Sequence, residues 1–197
     1  EPKEFFRPHF FVNTHDINPD FLQNAPRPAY LIRAALAATL SGLWGVYNGF
    51  ELCEGRPDVK RKEYADSEKY EIRAWDNDRP GNIKNEIALL NRIRQENPAL
   101  HSHLGLQLLP AWNDNIMFFE KASAGRENVL LIAINLDPHH AQEADVEIPL
   151  WSWNLPDHAA LDLEDLINGQ KFTWSGKMQR LRLDPHSGLP FAIWRVR

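Results

Sequence analysis

A short apolar run at 9–13, an alanine- and leucine-rich stretch at 30–40 and a second apolar run at 43–47 follow one another near the start of the chain. Nothing else in the sequence limits the fold as strongly. Two apolar strands joined through a helix pair in parallel, because a tight hairpin joins only antiparallel neighbours. Strands of a parallel sheet are buried on both faces and read as unbroken apolar runs. The stretch 30–40 holds one charged residue, Arg33, so its helix is expected to be buried around most of its surface. Pro28 suits the first turn of that helix, and Gly42 is expected to end it as a left-handed cap.

Residues 51–82 form a long polar connection that still holds three aromatics, Tyr64, Tyr70 and Trp75. Connections this long usually serve a function or are disordered, and the aromatics argue against disorder. An amphipathic helix follows, with Ile83, Ile87, Leu90 and Ile93 on one face. Asn82 is its expected N-cap, and Asn97-Pro98 its stop. Near Leu104 the pattern changes. Strands are expected near 105–109, 116–121, 129–135, 142–148, 160–165, 171–174, 179–183 and 191–196. Asn168-Gly169 marks a hairpin between two of them. Short strands at this spacing imply an antiparallel β-sandwich. No Gly/Ser linker separates the two parts, so they should pack tightly.

Composition narrows the functional classes. With a net charge of −5 and no long basic run, the chain is not expected to bind nucleic acid. The most apolar window, 34–52, is interrupted by three glycines, Thr39, Ser41 and Asn48, so no membrane span is expected. No signal peptide opens the sequence, and a cytoplasmic location is the expectation. The single cysteine, Cys53, reads as a small buried hydrophobe. Neither a phosphate-cradling glycine motif, a Gly-x-Ser-x-Gly elbow nor a His-Glu-x-x-His pair is present, so no cofactor is expected. His101 and His103 lack an acidic partner at ligand spacing, and no metal is expected.

Three constellations can carry chemistry. In Phe11-Val12-Asn13-Thr14-His15-Asp16 a strand runs straight into a His-Asp pair. Carboxylates at the C-terminal ends of parallel strands suit gripping sugar hydroxyls or stabilising a cationic transition state. An aspartate that simply caps a turn explains the same residues equally well. In Gly45-Val46-Tyr47-Asn48-Gly49-Phe50-Glu51 a second strand ends in Gly-x-Glu, either a site glutamate or a tight turn. Ser67-Glu68-Lys69-Tyr70-Glu71-Ile72-Arg73 sets cations beside a tyrosine, which suits an anionic or sugar-phosphate ligand. A solvated charged loop is the plainer account.

Taken together, these segments resemble the α-amylase family of glycoside hydrolases and transglycosylases. Phe11–Asp16 resembles the family segment after barrel strand seven, and Gly45–Glu51 the segment after strand eight. The stretches Tyr64-x-Asp66-Ser67-Glu68-Lys69-Tyr70-Glu71, Asp78-x-Pro80-Gly81-Asn82-Ile83 and Asn91-x-Ile93-Arg94-x-Glu96-Asn97-Pro98 extend the likeness toward its bacterial maltosyltransferase branch. The resemblance implies an α/β plus all-β fold: the last strands and helices of a (β/α)8 barrel over 1–101, then a β-sandwich over 102–197. It implies that Asp16 is the transition-state-stabilising carboxylate, that His15 assists it, and that Asn13, Glu51, Lys69 and Tyr70 line the sugar site. It further implies α-glucan and maltose 1-phosphate as substrates, with the remainder of a barrel, and a second copy in a homodimer, as partners.

Retaining glycoside chemistry needs a nucleophile and an acid/base about 5–5.5 Å apart. In this family they come from barrel strands four and five, so both are expected upstream of Glu1 and the chain alone is expected to be inactive. An α-amylase-type hydrolase is the alternative enzyme. A binding module is the alternative class, with Trp151, Trp153 and Trp174 as stacking candidates among seven tryptophans, and a sandwich that only shields and stabilises the barrel is the preferred account of the residues after Leu104. Two parallel strands cannot close a barrel. The apolar faces of 30–40 and 43–47 are therefore expected to lie exposed.

Overall fold

The computed structural model describes residues 4–197. Strand β1 (His9–Phe11) pairs in parallel with β2 (Leu43–Gly45), with His9 opposite Leu43 and Phe11 opposite Gly45. Helix α1 (Arg27–Leu40) joins them, with Pro28 in its first turn. Helix α2 (Lys84–Glu96) stops at Asn97, before Pro98. All eight later expected strands form: β3 (Leu106–Leu108), β4 (Ile116–Ala122), β5 (Val129–Asn135), β6 (Gln142–Glu147), β7 (Ala160–Asp165), β8 (Lys171–Ser175), β9 (Met178–Leu183) and β10 (Phe191–Val196). Six of them make an antiparallel sheet in the order β3-β4-β5-β10-β7-β8, and β6 pairs with β9 in a separate ribbon. Gly169 takes a positive φ of 75° in the β7–β8 turn, as the Asn-Gly signal requires.

The six-stranded sheet is covered on both faces. Because side chains alternate along a strand, neighbours enter different cores. Phe119, Leu130, Ile132, Ile134, Phe191 and Ile193 join Leu31, Ala34, Ala35, Ala38 and Leu90 of the two helices in one core. Phe118, Leu131, Ala133, Ala192 and Trp194 join Ala144, Val146, Leu181 and Leu183 of the ribbon in the other. This double burial is why β4, β5 and β10 read as unbroken apolar runs although they are antiparallel. The expected tight packing of helices on sandwich is thus present as one continuous core.

Three expectations need correction. Helix α1 is not exposed: Tyr30, Leu31, Ala34, Ala35 and Ala38 are fully buried, because β5 and α2 cover it. The exposure expected of 43–47 is present, and it extends to β1. Phe11 is 50% and Leu43 59% exposed, since β1 and β2 each have one strand neighbour and an open outer edge. Gly42 is no left-handed cap; α1 ends at Ser41 in extended backbone. Asn82 precedes the N-cap position of α2, held by Ile83, although its Oδ1 still accepts the Lys84 N–H at 3.2 Å. No helix among the described residues is long and apolar enough to cross a membrane.

Candidate functional site

The chain leaves β1 at Phe11, and the next residues are held by its partner strand's continuation. Val12 N–H donates to Gly45 O at 3.0 Å, and Asn13 Oδ1 accepts the Tyr47 N–H at 3.0 Å. Asn13 Nδ2 donates to the Tyr64 hydroxyl at 2.9 Å. Asn13 is buried, and both ends of its amide serve protein groups. It fixes the strand ends and leaves its neighbours, Thr14 to Asp16, at the C-terminal edge of the parallel pair.

Asp16 is half exposed there and both its oxygens are engaged. Lys69 Nζ donates to Oδ1, and His15 Nε2 stands 3.0 Å from Oδ2. The Lys69 hydrogen bond lowers the Asp16 pKa, with the charges of His15 and Lys69 adding to it, and the same bond raises that of Lys69. Both directions favour an ion pair. A carboxylate has about four lone-pair sites, so Asp16 keeps acceptor capacity for a ligand's hydroxyls. The Lys69 ammonium stands 5.2 Å and the Arg61 guanidinium 4.8 Å from the centre of the Tyr70 ring, both within cation–π range. The sequence constellations at 11–16 and 67–73 therefore meet in space, across 53 residues of chain.

Glu51 is placed differently. Its Oε2 accepts the Gly49 N–H at 3.0 Å and so closes its own turn. Gly49, at φ 94°, occupies backbone space that a β-carbon would contest with the Trp75 ring.

Several residues outside the expected set form a neighbouring cluster that lines a small cavity between Tyr47 and Trp75. Glu68 Oε2 accepts from Asn48 Nδ2 at 3.1 Å and from Trp75 Nε1 at 3.0 Å. A hydrogen bond from Tyr47 lowers the Glu68 pKa further, while burial pushes the Tyr47 phenol up to about 12. Arg73 lies over the Trp75 ring at 4.2 Å and pairs with Glu54 at 2.9 Å. Glu63, in an unremarkable charged run, reaches Lys69 and Tyr70. No local pattern distinguishes it; its place depends on how the 57–64 turn docks. Among the described residues no three His, Cys, Asp or Glu side chains gather as metal ligands would. On the sandwich, Trp174 packs edge-on to Trp194 at 5.0 Å and Trp153 donates to Glu120 at 2.9 Å, leaving Trp151 as the exposed one of the three candidates.

The fold resembles part of two solved α-amylases. The chain superposes over 97% of its length on α-amylase from Geobacillus thermoleovorans, with TM-score 0.65, 19% identity and 39% of that enzyme covered. It superposes over 96% on the maltogenic α-amylase AmyB from Thermotoga neapolitana, with TM-score 0.66, 12% identity and 41% covered. At these identities the likeness is one of fold. Sequence carries it further. Residues 108–196 match the family described as GLGE, C-terminal. The chain is 57% identical to the α-1,4-glucan:maltose-1-phosphate maltosyltransferase of Pseudomonas aeruginosa, over 99% of its own length and 29% of that relative. It is 52% identical to the Burkholderia pseudomallei protein of the same name, over 98% of the chain and 17% of the relative. Along essentially its whole length the chain is thus related to one stretch of the proteins named α-1,4-glucan:maltose-1-phosphate maltosyltransferase, and it spans less than a third of their length.

Proposed function

We propose that this chain is the C-terminal part of a maltosyltransferase that moves maltosyl units from maltose 1-phosphate to the non-reducing ends of α-1,4-glucans. Residues 1–101 close the catalytic (β/α)8 barrel and 102–197 form the β-sandwich beside it. The observation that carries the reading is the Asp16 group: a carboxylate at the C-terminal end of a parallel strand, held by Lys69 and His15 beside an exposed tyrosine. Functional groups sit at that end of barrel strands.

The chemistry is a retaining displacement at the anomeric carbon. The bond from that carbon to the phosphate oxygen breaks, a carboxylate takes the sugar, and a glucan hydroxyl then displaces the carboxylate. Asp16 grips donor hydroxyls and stabilises the positive charge that develops on the ring. Lys69 and Tyr70 bind the donor, His15 orients Asp16, and Asn13 holds the loop that carries both. The nucleophile and the acid/base belong to other parts of the enzyme. The open edges at Phe11 and Leu43 receive neighbouring barrel elements, and the isolated chain is inactive.

The test is Asp16→Asn in the intact enzyme, assayed with maltose 1-phosphate and glycogen. Loss of transfer by about a thousandfold or more is expected, as for removal of a transition-state contact. Activity near that of the unaltered enzyme would overturn the assignment. Maltose released to water in place of chain extension would move the reading to a hydrolase.

A further inference from the structure

The charged group around Asp16 contains a second carboxylate, and its setting differs from that of Asp16. The Glu63 side chain is 14% exposed, against 52% for Asp16. Its Oε1 lies 3.4 Å from Lys69 Nζ and accepts the Tyr70 hydroxyl at 3.2 Å, while Arg61 approaches Oε2 at 3.8 Å. A carboxylate this enclosed costs free energy unless it is paired, and these three partners offset the cost.

The backbone explains why Glu63 is there. The Lys62 carbonyl accepts the Asn18 N–H at 2.8 Å, and the Tyr64 hydroxyl accepts from Asn13 Nδ2 at 2.9 Å. Residues 62 and 64 are therefore tied to positions on either side of Asp16. The Asp58 N–H closes the turn onto the Glu63 carbonyl at 3.0 Å. Glu63 is fixed by the same frame that fixes Asp16, whereas Lys69 reaches both acids, and Tyr70 reaches Glu63, through side chains alone.

We infer that Glu63 is a positioning residue: it holds the Lys69 ammonium and the Tyr70 hydroxyl in the geometry that receives the donor sugar phosphate. This rests on the reading of Lys69 and Tyr70 as donor-binding groups. An ammonium has three donors. Asp16 and Glu63 engage two of them, and the Tyr70 hydroxyl lies beside the ammonium as well, so a ligand oxygen meets a preset ammonium–phenol pair. Without Glu63, Lys69 keeps Asp16 but faces a Tyr70 ring that has lost its own anchor, and donor binding must then order a looser pair.

The experiment is a double-mutant cycle in the intact enzyme, following KM for maltose 1-phosphate and for glycogen separately. Glu63→Gln should raise the donor KM about tenfold, the scale of one charge-assisted hydrogen bond, and leave the glycogen KM unchanged. Glu63→Asp keeps the charge and should recover part of the loss. It also serves as the test variant if Glu63→Gln does not fold. In a Lys69→Met background, Glu63→Gln should add little. Full additivity of the two substitutions, or equal rises in both KM values, would overturn the inference. An unchanged donor KM in Lys69→Met alone would instead overturn the donor-site reading on which it rests.

Discussion

Strands β1 and β5 are both short apolar runs, yet they meet different fates. Every residue of β5 is buried, and none of the three in β1 is. β5 has β4 and β10 as strand neighbours, with helices on one face and the ribbon on the other. β1 has β2 alone. An apolar run states what a strand needs, and not whether its own chain supplies it. The antiparallel region closes its cores with local partners. The parallel pair keeps apolar surface at its edges while its helix borrows cover from that region.

The sharpest test of this contrast compares two phenylalanines. Phe119 is fully buried in the core shared with the helices, and Phe11 is half exposed. Phe119→Ala should destabilise the chain by about 3–5 kcal/mol, the usual cost of emptying a core site of that size. Phe11→Ala should stay within about 0.5 kcal/mol, as exposed substitutions do. Urea unfolding of both variants reads the difference. Similar losses would mean that β1 is buried in solution and would break the comparison.

Legibility in the sequence follows the same division. Every antiparallel strand was readable, several with both bounds, because turn residues bracket each short run whichever strand it pairs with. The Lys69–Asp16 meeting was only half readable. Each segment stood out alone, but their contact depends on a long loop folding back. The cover over α1 was not readable at all, since it depends on β5 arriving from a hundred residues further along. Glu63 was invisible for a similar reason: its partners are fixed by the ties of Lys62 to Asn18 and Tyr64 to Asn13.

The seam between the two regions offers the next two tests. Lys121, on β4 and fully buried, donates to Ser102 O at 2.7 Å and Leu104 O at 2.6 Å. Burial, reinforced by the charge of Arg94, lowers its pKa from 10.5 to about 8. Above pH 8 the folded chain has released a proton that the unfolded chain still binds, so this group makes stability rise with pH. Between pH 8 and 10 the gain should be about 2–3 kcal/mol. Beyond pH 10 the buried Tyr30 and Tyr64 and the half-buried Tyr47 oppose it, because burial raises their pKa values and the unfolded chain ionises first. Urea titrations at several pH values should show the rise in the unaltered chain and not in Lys121→Met. A smaller effect is expected at Asn97, fully buried at the end of α2. It donates to Ile93 O at 2.8 Å and accepts from Asn128 Nδ2 at 3.0 Å. Asn97→Ala leaves both partners short of a bond and should cost about 1–3 kcal/mol. A loss below that range would mean that water replaces the amide and that the seam is wetter than it looks.

The smallest effect belongs to the outer face of the ribbon. Arg180 pairs with Glu143 at 2.8 Å and Asp145 at 3.2 Å, and Arg182 with Glu143 at 3.4 Å and Asp184 at 3.1 Å. The register places Asp145 opposite Arg180 and Glu143 opposite Arg182, so the ladder has good cross-strand geometry. It nonetheless stands in water. The Arg180 side chain is 64% exposed, where Coulomb attraction is screened and the entropy of holding a long side chain offsets most of what remains. Arg180→Ala should leave the urea midpoint unmoved at ordinary salt. Val146→Ala, one residue beyond Asp145 on the inward face, should lower it clearly, because Val146 is fully buried in the ribbon core. Equal shifts from the two would mean that the ladder, and not the covered face, holds β6 to β9. The ribbon would then no longer stand as the self-sufficient half of the comparison with β1 and β2.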